Sequence, residues 1–162
     1  MARALIVGCG CRGRELGRHL LAEGWQVRGT TRRSDRTEQI AAAGLEAAVA
    51  DPDRPATVLD LVADVTVVAW LLGSADGEPA LIEAIHGPRL ERLLEKLVDT
   101  PVRGFLYEAA GSVPGECLES GGSLVRAASE RWRIPVELLD SDPAEPAAWT
   151  AEAAAAIGRL LG

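Results

Sequence analysis

Basic residues are outnumbered in this chain. Lysine and arginine total 17 against 24 aspartates and glutamates, a net charge of −7 over 162 residues, with a pI near 4.9. That balance argues against general binding to nucleic acid or anionic membranes, both of which repel a negative surface. Long hydrophobic runs are missing too. The opening run, Ala4 to Val7, ends at a glycine, too soon for the apolar core of a signal peptide. The run from Val65 to Leu72 falls far short of the ~20 residues that span a bilayer. The chain therefore reads as soluble and cytoplasmic. Cysteine is sparse and odd in number: Cys9, Cys11 and Cys117. An odd count without a signal peptide is no disulfide framework, and Cys9 with Cys11 supplies too few ligands for a structural zinc site. Both read as small residues filling a tight loop, with Cys11, near a helix N-terminus, the one placed for oxidation. No Gly-x-Ser-x-Gly elbow, Walker loop or metal-ligand cluster occurs, so no metal is expected.

What is present is a strong opening. Ala4-Leu5-Ile6-Val7 reads as a buried strand. It runs into Gly-x-Gly-x-x-Gly, with Cys9, Cys11 and Arg12 between Gly8, Gly10 and Gly13. A helical pattern follows at once, with Leu16, Leu20 and Leu21 on one face and a stop at Gly24. Strand, glycine loop and helix in this order form the dinucleotide-binding fingerprint. Gly8 allows the tight turn, Gly10 the approach of a pyrophosphate, and Gly13 close packing of helix on strand. The first helical turn aims unpaired N–H groups and the positive dipole end at phosphates.

The rest alternates. Strands are expected at 26–31, 45–50, 64–72, 102–108 and 134–139. Helices are expected from a Ser34 or Asp35 cap, with Glu38 closing a capping box, to Gly44, and then at 54–62, 79–85, 89–98, 123–132 and 147–161. The apolar run Val65 to Trp70 fits a central strand buried on both faces. Alternating strands and helices imply an α/β fold, a doubly wound parallel six-stranded sheet of order 3-2-1-4-5-6 with helices on both faces. The length and the 48% apolar content fit one domain, 1–162, with a real core. The stripe Leu90, Leu93, Leu94, Leu97, Val98 serves the core or a homodimer equally well.

The end of the second strand bears on the cofactor. An NAD site places an acid about 20 residues past the glycine loop, on the ribose 2′-hydroxyl. No acid occurs between Gln26 and Ser34; the strand ends Thr30-Thr31-Arg32-Arg33. A guanidinium matches phosphate geometry. NADP is therefore expected over NAD, with Arg32 and Arg33 on the 2′-phosphate, Thr31 adding a hydroxyl, and Arg28 and Arg36 completing a positive patch.

The run Val7-Gly8-Cys9-Gly10-Cys11-Arg12-Gly13-Arg14, with Val27-Arg28-Gly29-Thr30-Thr31-Arg32 after it, resembles the extended and atypical short-chain dehydrogenase/reductase superfamily, in its epimerase/dehydratase-like branch. The resemblance covers roughly the whole chain as the cofactor-binding half of such proteins. It implies that Asp51 contacts the adenine and that the end of the fourth strand, with Trp70 and Leu71, passes the nicotinamide side. The family's Tyr-x-x-x-Lys is absent: Gly111 stands four residues after the only tyrosine, Tyr107, and the only lysine is Lys96. Its Ser-Ser falls near Glu108-Ala109. His19 reads as a surface or packed side chain and His86 as a helix-end residue. Glu108 reads either as an acid or base at the ligand end of a strand or as a solvated strand end. Two functions follow: an NADP(H)-binding sensor, regulator or subunit, or an NADP-dependent oxidoreductase using Glu108, Tyr107 or Ser112, with its site completed across a dimer.

Overall fold

The computed structural model describes residues 2–162. Six parallel strands form one sheet in the order β3-β2-β1-β4-β5-β6. They are β1 (Arg3–Val7), β2 (Gln26–Thr31), β3 (Glu46–Val49), β4 (Val67–Trp70), β5 (Gly104–Glu108) and β6 (Val136–Leu139). The helices are α1 (Cys11–Ala22), α2 (Thr37–Ala42), α3 (Pro55–Leu59), α4 (Pro79–Ile85), α5 (Pro88–Leu97), α6 (Gly115–Trp132) and α7 (Pro146–Leu160). β1 lies centrally, with Leu5 opposite Arg28 on one side and Val68 on the other. The reversal of strand order between β1 and β4 opens a crevice at their C-terminal ends, the usual ligand position in such sheets.

Two apolar layers hold the sheet. One joins Leu5, Val7, Val68 and Trp70 to α3 to α6; the other joins Ala4, Ile6, Val67 and Ala69 to α1, α2 and α7. β4 is buried on both faces, as its unbroken apolar run requires. On α5, Leu90, Leu93, Leu94 and Leu97 are buried inside this one chain, while Val98 lies beyond the helix and is 45% exposed. The four leucines thus serve the core. Each of these leucines contributes about 1.5–3 kcal/mol by burial.

Three sequence expectations change here. No side chain caps α2; a 3₁₀ turn, Ser34–Arg36, comes first. Asp35 instead accepts hydrogen bonds from Arg33, so the capping box does not form. Helix α6 starts at Gly115, not Ser123. Within its first turns Gly121 packs against β5, and a Cβ there would collide with the Tyr107 hydroxyl. Arg28 leaves the expected positive patch. Its guanidinium donates to Glu46, to Asp64 at 2.8 Å and to the Leu61 carbonyl at 2.8 Å. It sits amid acids from the strand-entry end of the sheet, away from the crevice.

Candidate functional site

The glycine loop is built by backbone constraints. Gly8 has φ +83°, a left-handed conformation that costs other residues. A Cβ there would stand 2.6 Å from the Leu71 carbonyl oxygen. The Cys9 N–H donates to the Thr30 carbonyl at 3.0 Å, which ties the loop to β2. Cys9 itself is buried, and burial pushes its thiol pKa up to about 12 against the pull of Arg14. It is an inert filler. Gly10 differs from Gly8 and Gly13: it is exposed, and a Cβ there would meet nothing within 4 Å. The N-terminus of α1 lies beside it, with no capping side chain and no acid in the first turn. That is an open cradle of N–H groups fit for phosphate.

A cleft of about 420 Å³ runs over this loop, within the size range of cofactor sites. It brings together Gly8, Cys9, Gly10, Arg12, Thr31, Arg32, Arg33, Asp51 and Leu71, all expected from the sequence. Arg36 of the expected positive patch lines it too, and it adds Arg14, Gln39, Ser74, Asp76, Leu81 and Ile85. Arg14, Arg32 and Arg36 have no ion-pair partner among the described residues, while Arg33 lies on Asp35 at 3.0 Å. That pair is exposed, and Arg33 holds the Asp35 carboxyl below its usual range. Asp51 has a local task as well: its carboxylate accepts the Asp53 N–H at 2.9 Å.

Cys11 and Gly13 line a second, smaller niche of about 90 Å³. It shares Gly8, Gly10, Arg12 and Leu71 with the cleft and adds Glu108 and Trp149. Trp70 lines neither cavity. It is fully buried, its indole N–H donates to the Ile85 carbonyl at 3.2 Å, and its ring lies 6.3 Å from Phe105. A strand buried on both faces sends alternate side chains into the two layers, and Trp70 falls on the α4 side.

Glu108 is not a solvated strand end; it is 1% exposed. Its Oε1 accepts the Gly73 N–H at 2.8 Å and its Oε2 accepts the Trp149 indole N–H at 3.1 Å. Burial raises its pKa; the Gly73 N–H, the nearby Arg12 charge and Trp149 oppose the rise. The Arg12 guanidinium lies 5.7 Å from the Trp149 ring centroid, and its Nε is buried without a hydrogen-bond partner.

His86 and Tyr107 form a pair buried behind the cleft. The Leu72 carbonyl, 2.9 Å from His86 Nε2, can only accept, so Nε2 carries the proton and the Tyr107 hydroxyl donates to Nδ1 at 2.6 Å. Burial lowers the His86 pKa and raises that of Tyr107. Tyr107 is thus locked in the core. Ser112 is exposed and donates its N–H to Ser74 Oγ at 3.1 Å, while His19 is exposed beside Glu23. Among the described residues no group of three or more His, Cys, Asp or Glu is placed to hold a metal ion. No helix among them is long and apolar enough to cross a membrane.

The family described as NAD(P)H-binding matches residues 8–116. No curated protein matches. Among solved structures, the UDP-glucuronic acid 4-epimerase of Bacillus cereus in complex with NAD is 17% identical, with 85% of this chain and 55% of that one covered and a TM-score of 0.66. The triphenylmethane reductase of Citrobacter sp. complexed with NADP(H) is 18% identical, covering 85% and 49%, with a TM-score of 0.66. The UDP-glucose 4-epimerase of Thermotoga maritima with UDP-glucose is 14% identical, covering 85% and 54%, with a TM-score of 0.71. The chain spans about half the length of these structures, and at such identities they establish the fold, a Rossmann-like α/β sheet.

Proposed function

The chain belongs to the NAD(P)H-binding family, and from that membership we propose that its cleft takes NADP(H), with NAD(H) the weaker ligand. The pyrophosphate lies over Gly10 at the start of α1. The adenosine end turns toward Asp51, with its 2′-phosphate against Thr31, Arg32 and Arg33. The other end runs past Leu71. One observation carries this reading: the cleft wall at the end of β2 is made of arginines, with no acid to accept a 2′-hydroxyl there. Arg36 and Arg14 extend the same positive lining.

Since these 162 residues contain no Tyr-x-x-x-Lys, the first reading of the role is a dinucleotide-binding sensor, regulator or subunit. The second reading, an NADP-dependent oxidoreductase with atypical groups, is favoured by a specific feature, the buried carboxyl of Glu108 beside the glycine loop. When bound, NADPH supplies a hydride; what the chain contributes is orientation and a dry wall.

Parallel calorimetric titrations with NADPH and NADH test the binding. NADPH is expected to bind more tightly, and Arg32→Ala and Arg33→Ala to weaken NADPH while sparing NADH. Binding of NADH alone refutes the arginine argument. If neither nucleotide binds, the glycine loop is a structural turn only.

A further inference from the structure

An oxidoreductase needs a group that moves a proton, and the structure narrows the choice. Tyr107 is committed to His86 in the core, and Ser112 lines neither cavity. Of the three, Glu108 lines the smaller niche, together with Arg12. Resting on the NADP(H) reading above, we propose that this niche is a reaction site for a small carbonyl compound bearing a carboxylate, a short 2-oxo acid, with Glu108 as the proton-transfer residue and Arg12 as the carboxylate anchor.

The position fits. Glu108 ends β5 at the ligand edge of the sheet, and the niche shares Gly8, Gly10 and Leu71 with the cleft. The two cavities therefore adjoin at these residues. The size fits as well: about 90 Å³ admits only a few non-hydrogen atoms. The charge specifies the class. Arg12 Nε is buried with no partner, and its guanidinium carbon lies over the Trp149 ring, 5.7 Å from the centroid. A carboxylate satisfies such a fork, and the charge-assisted bond is a strong one. Each Glu108 oxygen accepts one N–H, which leaves one further lone pair on each. One of these carries the proton, and burial favours the protonated form.

The step balances. Glu108 gives its proton to the carbonyl oxygen as the carbonyl carbon receives a hydride, with its electron pair, from NADPH. The C=O π bond breaks, C–H and O–H bonds form, and the products are a 2-hydroxy acid and NADP⁺. Glu108 regains a proton from water.

The experiment uses glyoxylate and pyruvate as reducible probes and oxamate as a probe that is not reduced. Oxamate is titrated calorimetrically into the full chain with and without NADPH, and NADPH oxidation is followed by absorbance with each acid. Oxamate is expected to bind only in the presence of NADPH, and Arg12→Gln to weaken it by ~10-fold or more. Glu108→Gln is expected to keep its NADPH affinity while turnover falls by ~100-fold or more and the pH–rate profile loses a limb. Three results overturn the proposal while leaving the cofactor reading intact. They are NADPH binding with no response to any acid, unchanged oxamate affinity in Arg12→Gln, and full turnover in Glu108→Gln. If Glu108→Gln does not fold, the oxamate affinity of Arg12→Gln decides. Failure to bind NADPH at all overturns the cofactor reading, and this proposal with it.

Discussion

Two alanine substitutions in the glycine loop separate folding from binding. In Gly8→Ala the new methyl group enters a residue at φ +83°, 2.6 Å from the Leu71 carbonyl oxygen and 2.7 Å from Leu72 Cδ2. The left-handed conformation alone costs about 1–2 kcal/mol. Leu72 can turn aside, but the Leu71 carbonyl belongs to a segment bound to β1 through its own N–H, which donates to Val7 at 2.9 Å. Moving it strains the β1–β4 ladder, so a total near ~3 kcal/mol is expected, in line with other backbone-strain mutations. Gly10→Ala is the counterpart. Gly10 has φ −84°, ψ −155°, which alanine adopts, and its Cβ would meet nothing within 4 Å. Its stability is expected to stay within ~0.5 kcal/mol of wild type, or to rise slightly as the unfolded chain loses freedom. If a pyrophosphate lies on that backbone, the methyl group takes its place, and NADPH affinity falls by ~10-fold or more, at 1.4 kcal/mol per decade. Urea denaturation with parallel calorimetry measures both. The reasoning fails if Gly10→Ala destabilises as much as Gly8→Ala, or if Gly10→Ala leaves NADPH binding intact.

Three further outcomes are expected. Trp149→Phe removes the indole donor to a buried carboxyl and should lose about 1–3 kcal/mol in urea denaturation; an unchanged midpoint would mean that Oε2 finds another donor. Leu93→Ala, in the fully buried row of α5, should lose about 2–5 kcal/mol, and its oligomeric state by light scattering should match that of the wild type because that row packs inward. His86 is neutral in the core with its pKa held below its ordinary 6.5. Below pH 6.5 the unfolded chain therefore binds a proton that the folded one refuses, and stability falls as pH drops toward the lowered value. Glu108 has the opposite sign: its folded pKa lies above its ordinary 4.5, so its contribution favours folding at low pH and is lost as pH rises from 4.5. Denaturation midpoints across pH 4–8 should lose the acid-side decline in His86→Gln, and persistence of that decline would rule His86 out as its source.

Much of the fold was legible because its signals are local. An apolar run before glycines, a leucine row at helical spacing and prolines at helix starts each act within a few residues. The strand order then follows from the alternation. What stayed hidden depends on distant partners. Glu108 is buried because Trp149, 41 residues on, and the Gly73 backbone reach it, and nothing near Glu108 in sequence announces either. Trp70 was placed by the strand it ends, but a strand buried on both faces does not say which layer takes each side chain. Arg28 sits two residues from Thr30 on the same strand, yet Glu46 and Asp64 draw it to the opposite end of the sheet. The early start of α6 depends on a distant partner too, since Gly121 lets the helix pack onto the Tyr107 hydroxyl.

The two ends of the cleft are built on different principles. Around the loop after β4 the polar groups are laced: Leu72 to His86 and Tyr107, Gly73 to Glu108 and Val113, Ser74 to Ser112. These bonds cross from β4 to β5 and are largely shielded from water, so that end presents a fixed shape. At the end of β2, Arg32, Arg33 and Arg36 stand exposed on a turn, and their attraction for an anion acts through solvent. Salt screens the second kind of interaction and hardly touches the first, since the Debye length falls from about 10 Å at 0.1 M to about 3 Å at 1 M. Raising ionic strength should therefore lower the affinity for NADPH more than that for NADH, whose ribose brings no phosphate to the arginines. The gap between the two affinities should narrow as salt rises, and Arg32→Ala should narrow it at low salt in the same way. Parallel loss of both affinities would mean that salt acts only on the shared pyrophosphate at α1, and that the arginines of β2 do not select the nucleotide.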